Sequence, residues 1–195
     1  MLILASKSPR RKEILEFFSL KFKCVESNFD ETKIKFVKDP KLYALEIALN
    51  KAKALDGKYK DIPILAADTI VWANKKVYTK PKNAKDAFKM LNELSNTYHS
   101  VFTAICIKYN EKIYQDIEET KILFHALDEK QIKTYHNSFY YSDKAAGYAI
   151  QKAGSIIIKN MIGCYYNVMG LPINTLKNLL LKVGIDLWDY LKPQA

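Results

Sequence analysis

Short unbroken apolar runs alternate along this chain with stretches whose apolar positions recur every three or four residues, a pattern of strands interleaved with amphipathic helices. Leu2 to Ala5 reads as a buried strand over residues 1–5, and Ile14, Leu15 and Phe18 put one apolar stripe on a short helix over 9–18. Weak alternation over 22–27 predicts a second strand. The charged stretch from Ser27 to Lys38 reads as a loop able to reach the mouth of a cleft. Asp39-Pro40 is a cap followed by proline, and Leu45, Ala48, Leu49, Ala52 and Leu55 form the apolar face of the helix that follows, up to Gly57. Lys51 and Lys53 fall off that face.

The next apolar run, from Ile62 to Ala67, ends at Asp68-Thr69, so Asp68 is expected at the C-terminal end of a buried strand. Val71-Trp72 and Val77-Tyr78 flank Asn74-Lys75 as a hairpin that ends at Lys80-Pro81. Asn83, with Asp86 three residues on, caps a helix whose stripe is Ala87, Met90, Leu91 and Leu94. A second hairpin runs from Val101 to Tyr109, turns at Asn110-Glu111 and returns over 113–124. A helix then runs from Leu127-Asp128 to about Tyr140. Residues 141–171 are irregular and hold Gly147, Gly154, Gly163 and Gly170 around a short strand, Ser155 to Ile158, and a segment from Tyr165 to Val168. Pro172 starts the last long helix, with Leu176, Leu179, Leu180 and Val183 buried and Gly184 at its end; 185–195 reads as a docked turn and a frayed tail. With no repeat and no linker, these elements argue for one α/β unit with a mixed sheet.

Composition changes this picture in two ways. A length of 195 residues, 49% of them apolar, suits a single core, and the net charge of +10 points weakly to an anionic partner without separating nucleic acid from nucleotide. Cys24, Cys106 and Cys164 lack metal-ligand spacing and read as free thiols of a reducing compartment. The polar residues from Ser6 to Glu13 interrupt the apolar N-terminus too soon for a signal-peptide core or membrane span. A soluble cytoplasmic protein with no membrane partner is therefore expected.

Candidate chemistry starts at the N-terminus. Ser6 and Ser8 lie in a tight strand-to-helix turn, and Ser8-Pro9 reads as a helix start whose free N–H groups and hydroxyls suit a phosphate. Arg10 and Arg11 occupy the first helical turn, where the macrodipole disfavours cations unless an anion or an acidic partner offsets it. Asp68 is the strongest single candidate, a carboxylate to hold a divalent cation or activate water, or else a turn-starting aspartate that bonds its own backbone. Lys51 and Lys80 read alone as snorkelling or solvated lysines. Asp143-Lys144 and Gln151 flank Gly147 in a polar loop that could read a base edge. His99, His125 and His136 are too scattered for a zinc site. The chain has no P-loop and no dinucleotide-binding glycine motif.

Taken in order and spacing, Leu2 to Arg11, Lys51-Ala52, Ala67 to Val71, Lys80-Pro81, Asp143 to Ala145, Tyr148 to Gln151 and Gly170 to Pro172 resemble the Maf family over essentially the whole chain. That resemblance implies a nucleoside triphosphate pyrophosphatase with an inosine triphosphatase-like α/β fold: a mixed twisted sheet flanked by helices, in two interleaved lobes around a central cleft. It also implies a divalent cation, Mg2+ or Mn2+, and the family was first linked to septum formation. By that likeness Asp68, Lys51 and Lys80 are the catalytic set, with Asp68 as proton acceptor and the lysines on the triphosphate. Ser6 and Arg11 bind phosphate, Glu31 joins Asp68 at the metal, and Lys144 is a further cleft lysine. Arg10, Thr69 and Gln151 look like the residues that select the base. They match the dTTP and UTP branch; the 7-methyl-GTP branch has tryptophan, glutamine and glutamate there. Lys152 stands where the family has glycine, Ala146-Gly147 inverts the family's order, and Phe139 to Ser142 lacks the usual Glu-Pro.

The expected reaction is attack by water on the α-phosphorus, releasing pyrophosphate from dTTP, UTP or modified pyrimidine analogues. The alternative is a nucleotide- or nucleic-acid-binding regulator of division without turnover, although such a protein does not need Asp68, Lys51 and Lys80 together. Nucleic acid is the disfavoured partner, a nucleoside triphosphate the favoured one. The oligomeric state stays open, a homodimer included.

Overall fold

In a computed structural model, which describes residues 1–192, the expected strands gather into one seven-stranded mixed sheet. The first strand, β1 (Leu2–Leu4), pairs in parallel with β2 (Phe22–Cys24) on one side and with β3 (Ile64–Ala73) on the other. Beyond β3 every pairing is antiparallel: with β4 (Lys76–Tyr78), with β5 (Tyr98–Tyr109), then β5 with β6 (Lys112–Phe124) and β6 with β7 (Ile158–Ile162). The path across the sheet is β2-β1-β3-β5-β6-β7, with β4 paired to β3 off that path.

One face of the sheet is covered by α2 (Pro40–Lys53), which lies against β3 and β5. Its buried positions are Ala44, Ile47, Ala48 and Ala52, small residues that let the helix approach the strands closely. Leu45 and Leu49, expected on that face, are only half-buried, because the helix is rotated to present its alanines. Asp39 accepts from the backbone N–H of Lys41 and Leu42 at 2.8 and 3.2 Å, which satisfies two donors of the first turn. The other face carries α1 (Pro9–Leu15), α3 (Ala84–Leu94), α4 (Glu129–Ser138), α5 (Tyr165–Met169) and α6 (Ile173–Leu181) over the larger core. Asp128 and Gln131 close a reciprocal capping box at the start of α4.

Three expectations shift. The first helix stops at Leu15 rather than 18, because Phe18 turns to bridge Leu191 and Ser19 N–H donates to Tyr190 O at 2.8 Å. The strand expected at Ser155 to Ile158 lies instead at Ile158–Ile162, while 152–157 winds as a 3-10 turn. Tyr165–Met169 is a short helix ended by Gly170 at φ +102. Leu187–Tyr190 forms the docked turn expected near the end, and the last part of the expected tail, 193–195, lies outside the described residues. All three cysteines are free, and no helix among the described residues is long and apolar enough to cross a membrane.

Beneath the glycine-bearing loops, His99 is buried against Phe124 and Tyr148, and its Nε2 lies 2.9 Å from the Tyr148 hydroxyl. Burial holds its imidazolium form down to about 4, from an ordinary 6.5. The unfolded chain therefore binds the extra proton between those values, so stability contributed by neutral His99 is complete above pH 6.5 and is lost as pH falls through 4. Urea unfolding at pH 4.5 is expected to show about 2–3 kcal/mol less stability from this residue than at pH 7, a slope that His99→Gln flattens.

Candidate active site

The sheet opens on one side of β3. β1 pairs with β3 only at Ile64 and Leu65, and β4 only from Val71 to Ala73, so residues 66–70 have no strand partner along that edge among the described residues. Asp68 and Thr69 sit in this gap. Asp68 is thus mid-strand, not at a strand end, but it lies where the parallel pairing has run out. Side chains alternate along a strand. Asp68 accordingly faces α2, with Ile64, Ala66 and Ile70 of that layer, while Thr69 faces the opposite layer. A cleft of about 400 Å3 opens here and is lined by residues from both layers, Asp68 and Thr69 among them.

On the α2 side, Lys51 Nζ donates to Asp68 Oδ1 at 2.7 Å and pairs with Glu31 Oε1 at 2.8 Å. The Lys51 and Asp68 side chains are 12% and 9% exposed, so this pair is shielded from water. Among the described residues, Asp68 Oδ2 receives no hydrogen bond and is the oxygen left for a ligand. Glu31 comes from a 3-10 turn, Glu31–Lys33, in the loop between β2 and α2, and Asp30 caps that turn through the N–H of Thr32 at 3.1 Å. Burial works to raise the Glu31 carboxyl, yet the Lys51 ammonium, then Lys80 and Arg11, outweigh it and hold the group below its ordinary value. Lys80 is exposed at the cleft edge and forms no ion pair among the described residues.

On the other side, Arg11 is anchored to the protein through three of its five N–H groups. It donates to Gly170 O at 2.8 Å, Thr69 Oγ1 at 3.1 Å and Ser6 Oγ at 3.4 Å. Burial lowers the affinity of its guanidinium for the proton, and Asp68 partly restores it. A Cβ on Gly170 would lie 3.1 Å from Thr69 Oγ1 and 3.4 Å from Arg11 Nε, so at φ +102 this position requires glycine on both counts. Ser6 also accepts the N–H of Ser8 at 3.1 Å and does not line the cleft, whereas Ser8, expected as the helix cap, makes no side-chain cap bond. Arg10 pairs with Asp143 at 2.7 Å, the acidic partner that offsets its unfavourable place in the first turn. Asp143 also takes Lys144 at 2.5 Å, and Lys144 reaches Tyr140 O at 2.6 Å. Burial works to raise the Asp143 carboxyl, but these two cations outweigh it and hold the group low. Gln151 Nε2 donates to Glu13 at 3.2 Å.

The structure thus brings together every expected site residue except Ser6, which supports Arg11 from below. It shows Asp143 of the polar loop holding two of the expected cations, and it adds Tyr43. The sequence carries a signal for Tyr43: with Ile47 and Lys51 it stands at i, i+4 and i+8 on α2, one side of the helix, and all three line the cleft. Its phenol is pushed up by burial and then by Asp68 and Glu31. Among the lining residues, five cations (Arg10, Arg11, Lys51, Lys80 and Lys144) face three carboxylates (Glu31, Asp68 and Asp143), a surplus that suits a polyphosphate. No group of three or more His, Cys, Asp or Glu gathers among the described residues. Two carboxylates meeting on one ammonium nevertheless suit a hard divalent cation that takes one or two carboxylates and fills its shell with water and phosphate oxygens.

The departures noted in the 139–152 loop have a backbone consequence. Ala146 and Lys152 adopt φ of 56 and 53, the left-handed region that favours glycine. Ala146 is fully buried and its N–H donates to Thr79 O at 3.0 Å, which ties the loop to the end of β4; Lys152 is exposed. Lys152→Gly is expected to stabilise the fold by about 0.5–1 kcal/mol, as relief of the left-handed strain exceeds the added unfolded-state entropy. Ala146→Gly should be neutral within about 0.5 kcal/mol, since it also removes a buried methyl. Urea denaturation of both variants checks the contrast.

Comparison with known proteins places this geometry. The family model described as "Maf: Maf-like protein" matches residues 1–183. A "dTTP/UTP pyrophosphatase" of Chlamydia caviae is 41% identical over 191 residues, 97% of each chain. A "Nucleoside triphosphate pyrophosphatase" of Chlamydia muridarum is 42% identical over the same share, and a "dTTP/UTP pyrophosphatase" of Clostridium perfringens is 45% identical over 181 residues, 91% of this chain and 94% of that one. Among solved structures, the Staphylococcus aureus Ham1 protein gives a TM-score of 0.45 at 14% identity, covering 63% of this chain and 71% of that chain.

Proposed function

The chain belongs to the Maf family, and from that premise we propose that it hydrolyses nucleoside triphosphates, dTTP and UTP or modified pyrimidine analogues foremost, to the monophosphate and pyrophosphate. The observation that carries this reading is the shielded Lys51–Asp68 pair at 2.7 Å, opening on a cleft whose cations outnumber its carboxylates. Phosphoryl-type reactions need positioning and charge neutralisation more than covalent chemistry, and the side chains of this cleft are of that kind.

Asp68 accepts from Lys51 through Oδ1, and its Oδ2 is the oxygen that takes the proton of the attacking water or holds that water in line with the α-phosphorus. Lys51 and Lys80, the latter in no ion pair among the described residues, bind phosphate oxygens and stabilise the departing pyrophosphate. Arg11, half-buried and held by Gly170, Thr69 and Ser6, has two further N–H groups with which it binds triphosphate oxygens. Glu31 and Asp68 would hold Mg2+ or Mn2+, which when bound neutralises charge on the polyphosphate. At the base end, Arg10, Thr69 and Gln151 select the pyrimidine, and Lys144 with Asp143 sets the position of Arg10. The same reading makes the chain one catalytic domain of two interleaved lobes that meet at the cleft.

The test is product release from canonical, methylated and damaged triphosphates with Mg2+ or Mn2+. The expected result is pyrophosphate, with dTTP and UTP ahead of the purine nucleotides. Binding of nucleotides without release from any member would leave the division-regulator reading in its place, and nucleic-acid binding would declare itself by a steep salt dependence with no nucleotide preference.

A further inference from the structure

The hydroxyl of Thr69 has a defined polarity. Thr103 Oγ1 lies 2.7 Å from the main-chain oxygen of Asn167, which can only accept, so the hydroxyl hydrogen of Thr103 is committed there. Thr69 Oγ1 stands 3.0 Å from Thr103 Oγ1, and with that hydrogen already engaged the donor between the two must be Thr69. Arg11 then donates to the same Thr69 oxygen at 3.1 Å. One lone pair remains on Thr69 and no hydrogen. Thr69 and Thr103 are register partners on β3 and β5, and Thr103 is fully buried. Asn167, also fully buried, is pinned through its amide to Val101 O at 2.9 Å and Thr120 Oγ1 at 2.8 Å, so its carbonyl is held toward Thr103.

We propose that Thr103 is a positioning residue that fixes the Thr69 hydroxyl as a hydrogen-bond acceptor at the base end of the cleft, and that this polarity selects uracil and thymine against cytosine. Uracil and thymine carry an N–H at ring position 3, which an acceptor satisfies. Cytosine carries a lone pair there, which an acceptor repels. The inference rests on the pyrimidine triphosphate reading above and assigns its discrimination to a residue that does not line the cleft. Thr103 was missed from sequence, although a lone hydroxyl inside the apolar run Val101 to Ile107 was a signal.

The experiment compares kcat/KM for pyrophosphate release from UTP and CTP in the wild-type chain, Thr103→Val and Thr103→Ser. Valine removes the acceptor and frees the Thr69 hydrogen to turn toward the base, so the UTP to CTP ratio is expected to fall by at least about tenfold, the scale of one mispaired buried polar group. Serine retains the hydroxyl and is expected to restore the ratio. A purely structural role for Thr103 would lower both substrates together, and an unchanged ratio in folded Thr103→Val overturns the proposal. If circular dichroism finds Thr103→Val unfolded, wild-type turnover of 3-methyl-UTP against 5-methyl-UTP decides: loss of only the 3-methyl compound supports an acceptor at that position, and equal turnover overturns it. A wild-type chain as active on CTP as on UTP overturns this inference alone, whereas one that releases pyrophosphate from no pyrimidine triphosphate overturns the reading beneath it.

Discussion

Asp68→Asn is expected to lower the turnover of UTP by about a thousandfold, within the range of an effective general base, and to leave the melting temperature within a few degrees of the wild type. The amide oxygen still accepts from Lys51, which lies 2.7 Å from Oδ1, and Lys51 keeps its second partner Glu31 at 2.8 Å. Shape and burial are conserved, so little folding energy is at stake. What disappears is proton affinity at the second oxygen, the atom with no donor of its own among the described residues. Steady-state pyrophosphate release together with a thermal melt separates the two effects. Near-normal turnover would remove Asp68 from the role of base, and a collapse of the melt would make the pair a structural one.

Arg11→Met is expected to do the reverse and strike stability first, by about 3–5 kcal/mol. The Gly170 carbonyl loses its donor outright, and the Thr69 and Ser6 hydroxyls lose one bond each while keeping Thr103 and the Ser8 N–H. Each buried group left unpaired costs about 1–3 kcal/mol, less where a hydroxyl can turn to another partner. For a chain of this size the melting temperature should fall by about 10 °C or more, read by circular dichroism. Arg11→Lys should recover only part of the loss, because an ammonium cannot reproduce a planar fork that serves three acceptors in different directions. Activity of the surviving folded fraction should also fall, since Thr69 loses the contact that holds its oxygen.

Both predictions depend on features that were unequally legible in the chain. Helix starts at Asp39, Asn83 and Asp128 were readable because a capping side chain acts on its own N–H groups two or three residues on. The two hairpins were readable from the apolar runs that flank the turns at Asn74-Lys75 and Asn110-Glu111. The chemistry of Asp68 is legible but its place is not: a carboxylate after an apolar run looks like a strand end, and nothing local says that β3 continues with one edge unpaired among the described residues. β7 was placed too early because its own residues are partly exposed at the edge of the sheet, while the more apolar Ile156 and Ile157 belong to the preceding turn. Site residues that act through long-range partners were the hardest to read. Arg10 and Asp143 lie 133 positions apart, Arg11 and Gly170 lie 159 apart, and only the fold pairs them. The resemblance names Arg11 as a phosphate ligand; the geometry ties three of its five N–H groups to the protein and leaves two, while Lys80 forms no ion pair among the described residues.

The claim that joins these residues is that water attacks the α-phosphorus. Hydrolysis of UTP in 18O-enriched water, with the products separated and weighed by mass spectrometry, tests it most directly. The account predicts one 18O atom in the uridine monophosphate and none in the pyrophosphate. Label in the pyrophosphate, or uridine diphosphate and free phosphate as products, would contradict it.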